Sequence, residues 1–328
     1  MRRAGNLYPK IAELENLELA FWKAQRRKSA RSDVQAFRAN LSGNLRRLSE
    51  ELLSGNVAFG NYRYFTIYDP KERVICAADF RERVLHHAII NVCEPVFEKY
   101  QIFDSFACRK GKGLDACLVR TREFCRKYRW FLKADVHKFF DSVDHAVLLR
   151  LLSRRFKDGR LIDLFSKIIE SYETCPGKGL PIGNLTSQYF ANLYLGVADH
   201  LIKDAWRVPA YVRYMDDFVL FFDEKEQAKC VKARVEELFS RALKLDLNAF
   251  QLNRTERGLP FLSYRVFGDC LRLSQKAKRR FCRKMEEANR EESAERALPL
   301  LAFVQRADSY GFRREFFYGN GSRTARTA

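Results

Sequence analysis

The nine cysteines, scattered from Cys76 to Cys282, include no Cys-x-x-Cys pair, and the five histidines form no His-Glu-x-x-His motif. The first absence removes the common zinc-ribbon and dithiol frames, the second the helical zinc-hydrolase site. Metal chemistry in this chain would therefore rest on carboxylates. The cysteines read as reduced, mostly buried thiols of a cytosolic protein. No apolar run approaches the ~20 residues of a membrane span. Met1-Arg2-Arg3 leads into polar sequence, without the apolar segment of a signal peptide. No membrane attachment and a cytoplasmic location are expected. Acid is also in deficit, with 41 Asp and Glu against 60 Lys and Arg, a net charge of +19 that makes a polyanion the natural partner. Aromatic residues, 13% of the chain, favour a nucleic acid, because interleaved rings can stack on bases. The 328 residues suffice for two or three compact units.

The most informative stretch is Ala210-Tyr-Val-Arg-Tyr-Met-Asp-Asp-Phe-Val-Leu-Phe-Phe222. Two aromatic and β-branched runs flank the carboxylates Asp216 and Asp217, a pattern that predicts a hairpin with acids at its turn. Adjacent acids in apolar surroundings repel and lose hydration, so the pair calls for a cation or full exposure. A second acid closes another apolar strand, Trp130-Phe131-Leu132-Lys133-Ala134-Asp135, and is followed by Val136-His137-Lys138-Phe139-Phe140.

Elsewhere the periodicity is mostly helical. Ile11, Leu14, Leu17, Phe21 and Trp22 predict a helix within residues 6–25, and Val34 through Leu52 a second, stopped by Gly55-Asn56. Residues 62–68 and 73–76 read as two strands around the turn Asp69-Pro70-Lys71-Glu72. Lys71 and Arg73 lie at or just beyond that tip, placed either to be solvated or to close over an anion. The adjacent His86 and His87 read as structural. Residues 147–172 alternate apolar and basic positions at helical spacing. Leu180-Pro-Ile-Gly-Asn-Leu-Thr-Ser-Gln188 leads into another apolar helix, and Lys225–Leu243 reads as a charged amphipathic one. Residues 271–328 carry 14 basic and 7 acidic side chains, a net +7 suited to a duplex-holding helical segment, and residues 319–328 read as a frayed tail.

These stretches resemble, in order and over roughly residues 60–270, the reverse transcriptase family. Tyr214-Met215-Asp216-Asp217 resembles its YMDD box, and Asp135 with Phe140 resembles its first metal aspartate and the aromatic floor under the sugar. Ser105-Phe106-Ala107-Cys108-Arg109-Lys110-Gly111 resembles its S-x-G-F-R segment, with Ala107-Cys108 in place of Gly-Phe. Pro260-Phe261-Leu262-Ser263-Tyr264 resembles its F-L-G-Y primer grip. Most members read Gln-Gly-x-x-x-Ser-Pro where this chain reads Ile182-Gly183-x-x-x-Ser187-Gln188. That departure resembles the reverse transcriptases of diversity-generating retroelements, which copy a template RNA with frequent errors opposite adenine.

The resemblance implies an α+β right-hand polymerase. Its expected parts are fingers over residues 1–128, a palm over 129–270 with a helical insertion at about 145–175, and a short helical thumb with tail over 271–328. The palm is expected to hold a three-stranded antiparallel sheet with helices on one face. The implied catalytic residues are Asp135, Asp216 and Asp217, which with the Val136 carbonyl would hold two Mg²⁺, Mn²⁺ being a possible substitute. Lys71, Arg73, Phe140, Ile182 and Gly183 would bind the dNTP. Arg109, Ser187, Gln188, Tyr214, Met215, Leu262 and Tyr264 would meet template or primer. Phe140 would clash with a ribose 2′-hydroxyl. The lysine that many relatives could use to protonate pyrophosphate has no clear counterpart, Lys244 being the nearest candidate. Implied partners are template RNA, the RNA/DNA hybrid, dNTPs and a small basic helical accessory protein oligomer. Two alternatives stand: another bacterial reverse transcriptase of retron or group II intron type, and a non-catalytic RNA-binding scaffold.

Overall fold

The computed structural model describes residues 3–68 and 72–318. It opens with helices α1 (Tyr8–Ala12), α2 (Leu14–Ala24), α3 (Ser32–Ala39) and α4 (Leu41–Ser54). The two long helices expected here are each divided. Glu13 leaves helical geometry at ψ 134° and Asn40 at φ −129°. The breaks let Ile11 and Leu17, and likewise Phe37 and Leu45, reach one common core. Gly55, at φ 77°, ends α4 in the left-handed conformation that glycine adopts without strain.

Strands β1 (Tyr62–Tyr68) and β2 (Glu72–Ala78) pair antiparallel, from Tyr62 opposite Ala78 to Tyr68 opposite Glu72. The tip between them, with Lys71, lies outside the described residues, as does the expected tail at 319–328. Asp79 starts α5 (Phe80–Tyr100) by accepting from the Glu82 N–H at 2.7 Å. Then come α6 (Leu114–Lys127), β3 (Trp130–Asp135), α7 (Phe139–Ser142), α8 (His145–Ser153), α9 (Gly159–Glu170) and α10 (Leu185–His200). After them follow β4 (Ala210–Tyr214), β5 (Asp217–Phe222), α11 (Lys225–Glu237) and β6 (Gln251–Arg254). A small sheet of β7 (Leu259–Phe261), β8 (Tyr264–Val266) and β9 (Leu271–Leu273) precedes α12 (Gln275–Arg290), α13 (Ala294–Gln305) and α14 (Tyr310–Tyr318).

The central sheet is antiparallel in the order β4-β5-β3-β6. Three strands were expected. The fourth, Gln-Leu-Asn-Arg, has almost no strand propensity and is recruited by the edge of β3, which would otherwise expose unpaired backbone groups. The sheet is also covered on both faces, where helices on one face were expected. Leu132, Phe218, Leu220 and Phe222 enter the core shared with α5, α10 and α11, while Phe131, Val219 and Phe221 pack with α6 and the β7–β9 sheet. This explains why Phe218 through Phe222 are all buried: a strand with one wet face would alternate. The cysteines depart from expectation too. All nine are free, but four are buried and Cys108, Cys175 and Cys230 are exposed. Among the described residues no helix is long and apolar enough to cross a membrane.

One charged pair sits inside this apolar packing. Arg213 of β4 and Asp199 of α10 are 1% and 0% exposed and meet at 2.6 Å. Tyr211 Oη donates to Asp199 Oδ1 at 2.8 Å, and Arg213 Nη1 donates to Asn192 Oδ1 and to the Met215 carbonyl, each at 3.0 Å. Burial alone would favour neutral arginine, but the Asp199 charge outweighs it and holds the Arg213 pKa above its ordinary value. Breaking such a pair leaves one buried charge uncompensated. Asp199→Asn is expected to destabilise the fold by about 3–5 kcal/mol, measurable as a lowered urea midpoint. A loss within error of zero would remove the pair from the fold's supports.

Candidate active site

The β4–β5 hairpin turns in two residues, because Tyr214 and Asp217 are paired across it. Met215 takes φ 55°, the left-handed geometry that tight primed hairpin turns demand at their first central position. A non-glycine residue there is strained by roughly 1–2 kcal/mol. The Arg213 guanidinium bonded to the Met215 carbonyl helps hold it. Asp216 and Asp217 thereby occupy the end of β5, and the register sets Asp135, last residue of β3, directly opposite Asp217.

The electrostatics of this corner are unbalanced toward negative charge. Burial, then the neighbouring Asp135 charge, raise the Asp216 pKa, while its own backbone N–H, Arg73 and Arg213 oppose the rise. Burial pushes Asp217 up to about 7; Lys133 pulls it back, and Asp135 and Asp216 add to the rise. Lys133 Nζ stands 3.3 Å from Asp217 Oδ1 but out of hydrogen-bonding line, so among the described residues that buried oxygen lacks a hydrogen-bond partner. Asp135 is better held. Its Oδ2 accepts from Asn248 Nδ2 at 2.8 Å and its carbonyl from the Asn248 N–H at 2.9 Å. The Val136–Leu247 bridge is made by Asp135, His137, Asp246 and Asn248, which leaves the Val136 carbonyl outside it.

These residues fit a divalent cation. All the donors are oxygens, one carboxylate oxygen is orphaned, and two carboxylates are penalised by mutual repulsion that a cation would relieve. Among the described residues no three carboxylate, imidazole or thiol groups close on one point, so the protein supplies part of a coordination shell and leaves the rest to water or substrate oxygens.

Around the acids, Leu180 N–H donates to the Phe140 carbonyl at 2.7 Å and Cys76 N–H to the Ile182 carbonyl at 2.8 Å. This loop ties α7 to β2, the strand that carries Arg73, whose charge acts on Asp216. Gly183 is at φ 124°, a backbone conformation L side chains rarely adopt, and a Cβ there would crowd Ile75 Cγ2 at 3.1 Å and the Cys76 carbonyl oxygen at 3.3 Å. Met215 and Tyr214 lie at the hairpin turn, half-buried, and Gln188 is half-buried on α10.

Other expected contacts are engaged within the protein. Arg109 donates to Glu98 and to the Ile102 and Ser105 carbonyls, with its side chain 7% exposed, so it braces α5. Ser187 is 1% exposed, and Tyr264 is buried with its hydroxyl donating to the Phe303 carbonyl. Leu262 remains half-exposed beside a cavity that reaches Asp217. Lys244 is paired with Asp144 at 2.7 Å, its side chain 53% exposed. Sequence reading passed over Lys133, Arg213 and Asn248. For the first two a signal existed, a lone cation inside an apolar strand; Asn248 had none.

An antiparallel sheet with paired carboxylates at a hairpin turn beside a third at the next strand's end has the layout of a right-hand polymerase palm. The family description "Reverse transcriptase (RNA-dependent DNA polymerase)" matches residues 69–266. Protein YkfC of Escherichia coli is 26% identical over 278 residues, 70% of this chain and 72% of that protein. The group II intron-encoded protein LtrA of Lactococcus lactis is 24% identical over 140 residues, 40% of this chain and 23% of LtrA. The structure of apo telomerase from Candida tropicalis superposes at a TM-score of 0.51 with 13% identity, over 67% of this chain and 49% of that one. This chain thus spans about half of the telomerase chain and less than a quarter of LtrA. The chain belongs to the reverse transcriptase family.

The Asp217 shift carries a sign that can be measured without nucleic acid. A carboxyl whose folded pKa is raised binds a proton more tightly when folded. Its contribution is fully present below its unfolded value near 4 and is lost as pH rises through about 7. Metal-free protein should lose thermal stability between about pH 4 and 7, and Asp217→Asn should lose less. Mn²⁺ at pH 8 should restore stability to the parent more than to the variant. Identical pH slopes for both proteins would show that Asp217 titrates normally.

Proposed function

We propose that the chain is an RNA-directed DNA polymerase that makes error-prone cDNA from a dedicated template RNA, as in a diversity-generating retroelement. The polymerase part is supported by the family match and by Asp135, Asp216 and Asp217 gathered at one sheet corner. The retroelement part is carried by one observation, Ile182-Gly183-x-x-x-Ser187-Gln188 where most members have Gln-Gly-x-x-x-Ser-Pro.

In this reading Asp135, Asp216, Asp217 and the Val136 carbonyl would hold two Mg²⁺, or Mn²⁺ in their place. Bound there, the ions would supply Lewis acidity toward the oxygens of an in-line phosphoryl displacement. The protein's own part is positional. Arg73, with Lys71, offers cations to the triphosphate, Arg through its bidentate fork. Phe140 lies beneath the sugar and leaves no room for a 2′-hydroxyl. Gly183 lets the nucleotide approach the backbone, and Ile182 packs against it where relatives offer a glutamine's hydrogen bonds. Losing those bonds narrows the gap between right and wrong pairs, since fidelity is a difference between two geometries. A small basic helical protein oligomer belongs to this proposal as partner, together with template RNA and its hybrid. Residues 1–128, 129–270 and 271–328 would act as fingers, palm and thumb.

A second reading, a reverse transcriptase of retron or group II intron type, is favoured by the names of the relatives, several of which are intron proteins. Primer extension on RNA with Mg²⁺ and dNTPs, followed by deep sequencing of the cDNA, separates the two. Errors concentrated opposite adenine support the first, and faithful copying the second. Absence of product with native RNA and accessory protein would favour a non-catalytic RNA-binding scaffold.

Two substitutions test the site. Asp216→Asn should abolish synthesis, because an amide is a poor ligand for a hard cation, while RNA affinity in a filter-binding assay stays within about twofold. Retained synthesis removes Asp216 from the site. Ile182→Gln should lower misincorporation in the sequenced product by roughly tenfold, about 1.4 kcal/mol of discrimination. An unchanged error spectrum would overturn that role.

A further inference from the structure

The polymerase reading leaves one buried cation without a task. Lys133 is the only charged residue of β3 before its terminal Asp135. It projects from the same sheet face as Asp135, two residues on, and faces Val219 in register, so that Asp217 is its diagonal neighbour. Its side chain is 16% exposed, its ammonium lies 3.3 Å from Asp217 Oδ1, and the same ammonium stands 5.9 Å from the centre of the Phe261 ring. Placing an ammonium in a sheet otherwise packed with aromatics is costly, and one imperfect contact with Asp217 compensates it only in part.

The ammonium also borders open space. A cavity of about 360 Å³ runs from Lys133 and Asp217 along Phe261 and Leu262 to Lys276 and Arg280 of α12. Three cations and one carboxylate line it, so its chemistry suits an anion bearing apolar surface. At one end it meets Asp217, one of the three acids. A strand whose 3′-hydroxyl reaches those carboxylates must bring its last phosphodiester one sugar away, on the side from which the strand arrives. Arg73, Phe140 and Ile182, where the nucleotide is expected, do not line this cavity.

The geometry points to Lys133 as a positioning residue for the primer. Its ammonium bridges Asp217 and the phosphodiester of the primer's 3′-terminal nucleotide, fixing the reacting end of that strand against the acid corner. This inference rests on the polymerase reading and adds to it a specific contact from β3. Asp217 alone holds Lys133 when no primer is present, and the primer phosphate completes its environment when one is.

The test compares Lys133→Met, which keeps the stem and removes the charge, with Lys133→Arg, which keeps the charge. Each protein is titrated with a primer–template duplex ending in a dideoxynucleotide, and with the unprimed template RNA, in Ca²⁺ at several salt concentrations. Lys133→Met should weaken primed-duplex binding about five- to tenfold and lower the slope of log affinity against log salt by about one, the signature of one lost phosphate contact. Unprimed RNA should bind as before, and Lys133→Arg should restore most of the loss. Thermal melting of both variants checks that the fold survives. Equal loss on primed and unprimed RNA would mean general packing damage and overturn the assignment. An unchanged salt slope, or altered Mn²⁺ affinity without altered primer binding, would reduce Lys133 to a counter-ion of Asp217. If the parent protein, given native RNA and accessory protein, neither prefers primed duplex to unprimed RNA nor extends an unblocked primer, the polymerase reading fails instead, and the two failures are distinguishable.

Discussion

The Arg213–Asp199 ion pair carries the working corner of this protein. It lies between α10 and β4 with no contact to solvent, and it satisfies five polar groups at once: both Asp199 oxygens, the Tyr211 hydroxyl, the Asn192 carbonyl oxygen and the Met215 carbonyl. A buried pair of this kind is a poor source of net stability compared with apolar packing, yet removing one partner is severely penalised. That asymmetry makes it a specifier of geometry. It allows the β4–β5 turn to stand in only one place relative to α10. The backbone of Arg213 extends the same constraint, bonding to Asp104 and Phe106 so that the segment before α6 is pinned to the hairpin as well.

With the turn held, the carboxylates can be kept where they would not stay by choice. Asp216 and Asp217 share a corner with Asp135, in surroundings that raise two of their pKa values. Asn248 restrains Asp135, and Lys133 offers Asp217 an incomplete counter-charge. The arrangement is electrostatically unfinished: cationic ligands are favoured at the carboxylates, and anionic ones at the surrounding Arg73, Lys133, Lys276 and Arg280. Under the proposed function, a polyphosphate accompanied by divalent cations would meet both demands.

Much of this was readable in advance, and for stated reasons. Hairpin and acids were legible because aromatic and β-branched runs broken by Asp216-Asp217 have few other solutions. Asp135 was legible as the end of an apolar strand. The motif positions of Arg109 and Tyr264 say nothing of what else surrounds them; here Glu98 and two carbonyls bind the one, and the Phe303 carbonyl the other. Lys244 is likewise answered by Asp144. Strand β6 was invisible because its pairing comes from the edge of β3 and its own residues give no signal.

By itself, then, the amino-acid order determined the kinds of element and the adjacent acids, since periodicity, strand propensity and the need of adjacent carboxylates for a cation are local or nearly local properties. The class of fold and the third acid it implied only through resemblance to a family. Only the tertiary structure decided that Asp135 stands opposite Asp217, that the sheet is dry on both faces, and that Arg213 answers Asp199. It alone set Lys133 between an acid and a cavity. Those are relations between residues many positions apart, governed by strand register and by which charges burial forces together, and neither can be read along a chain.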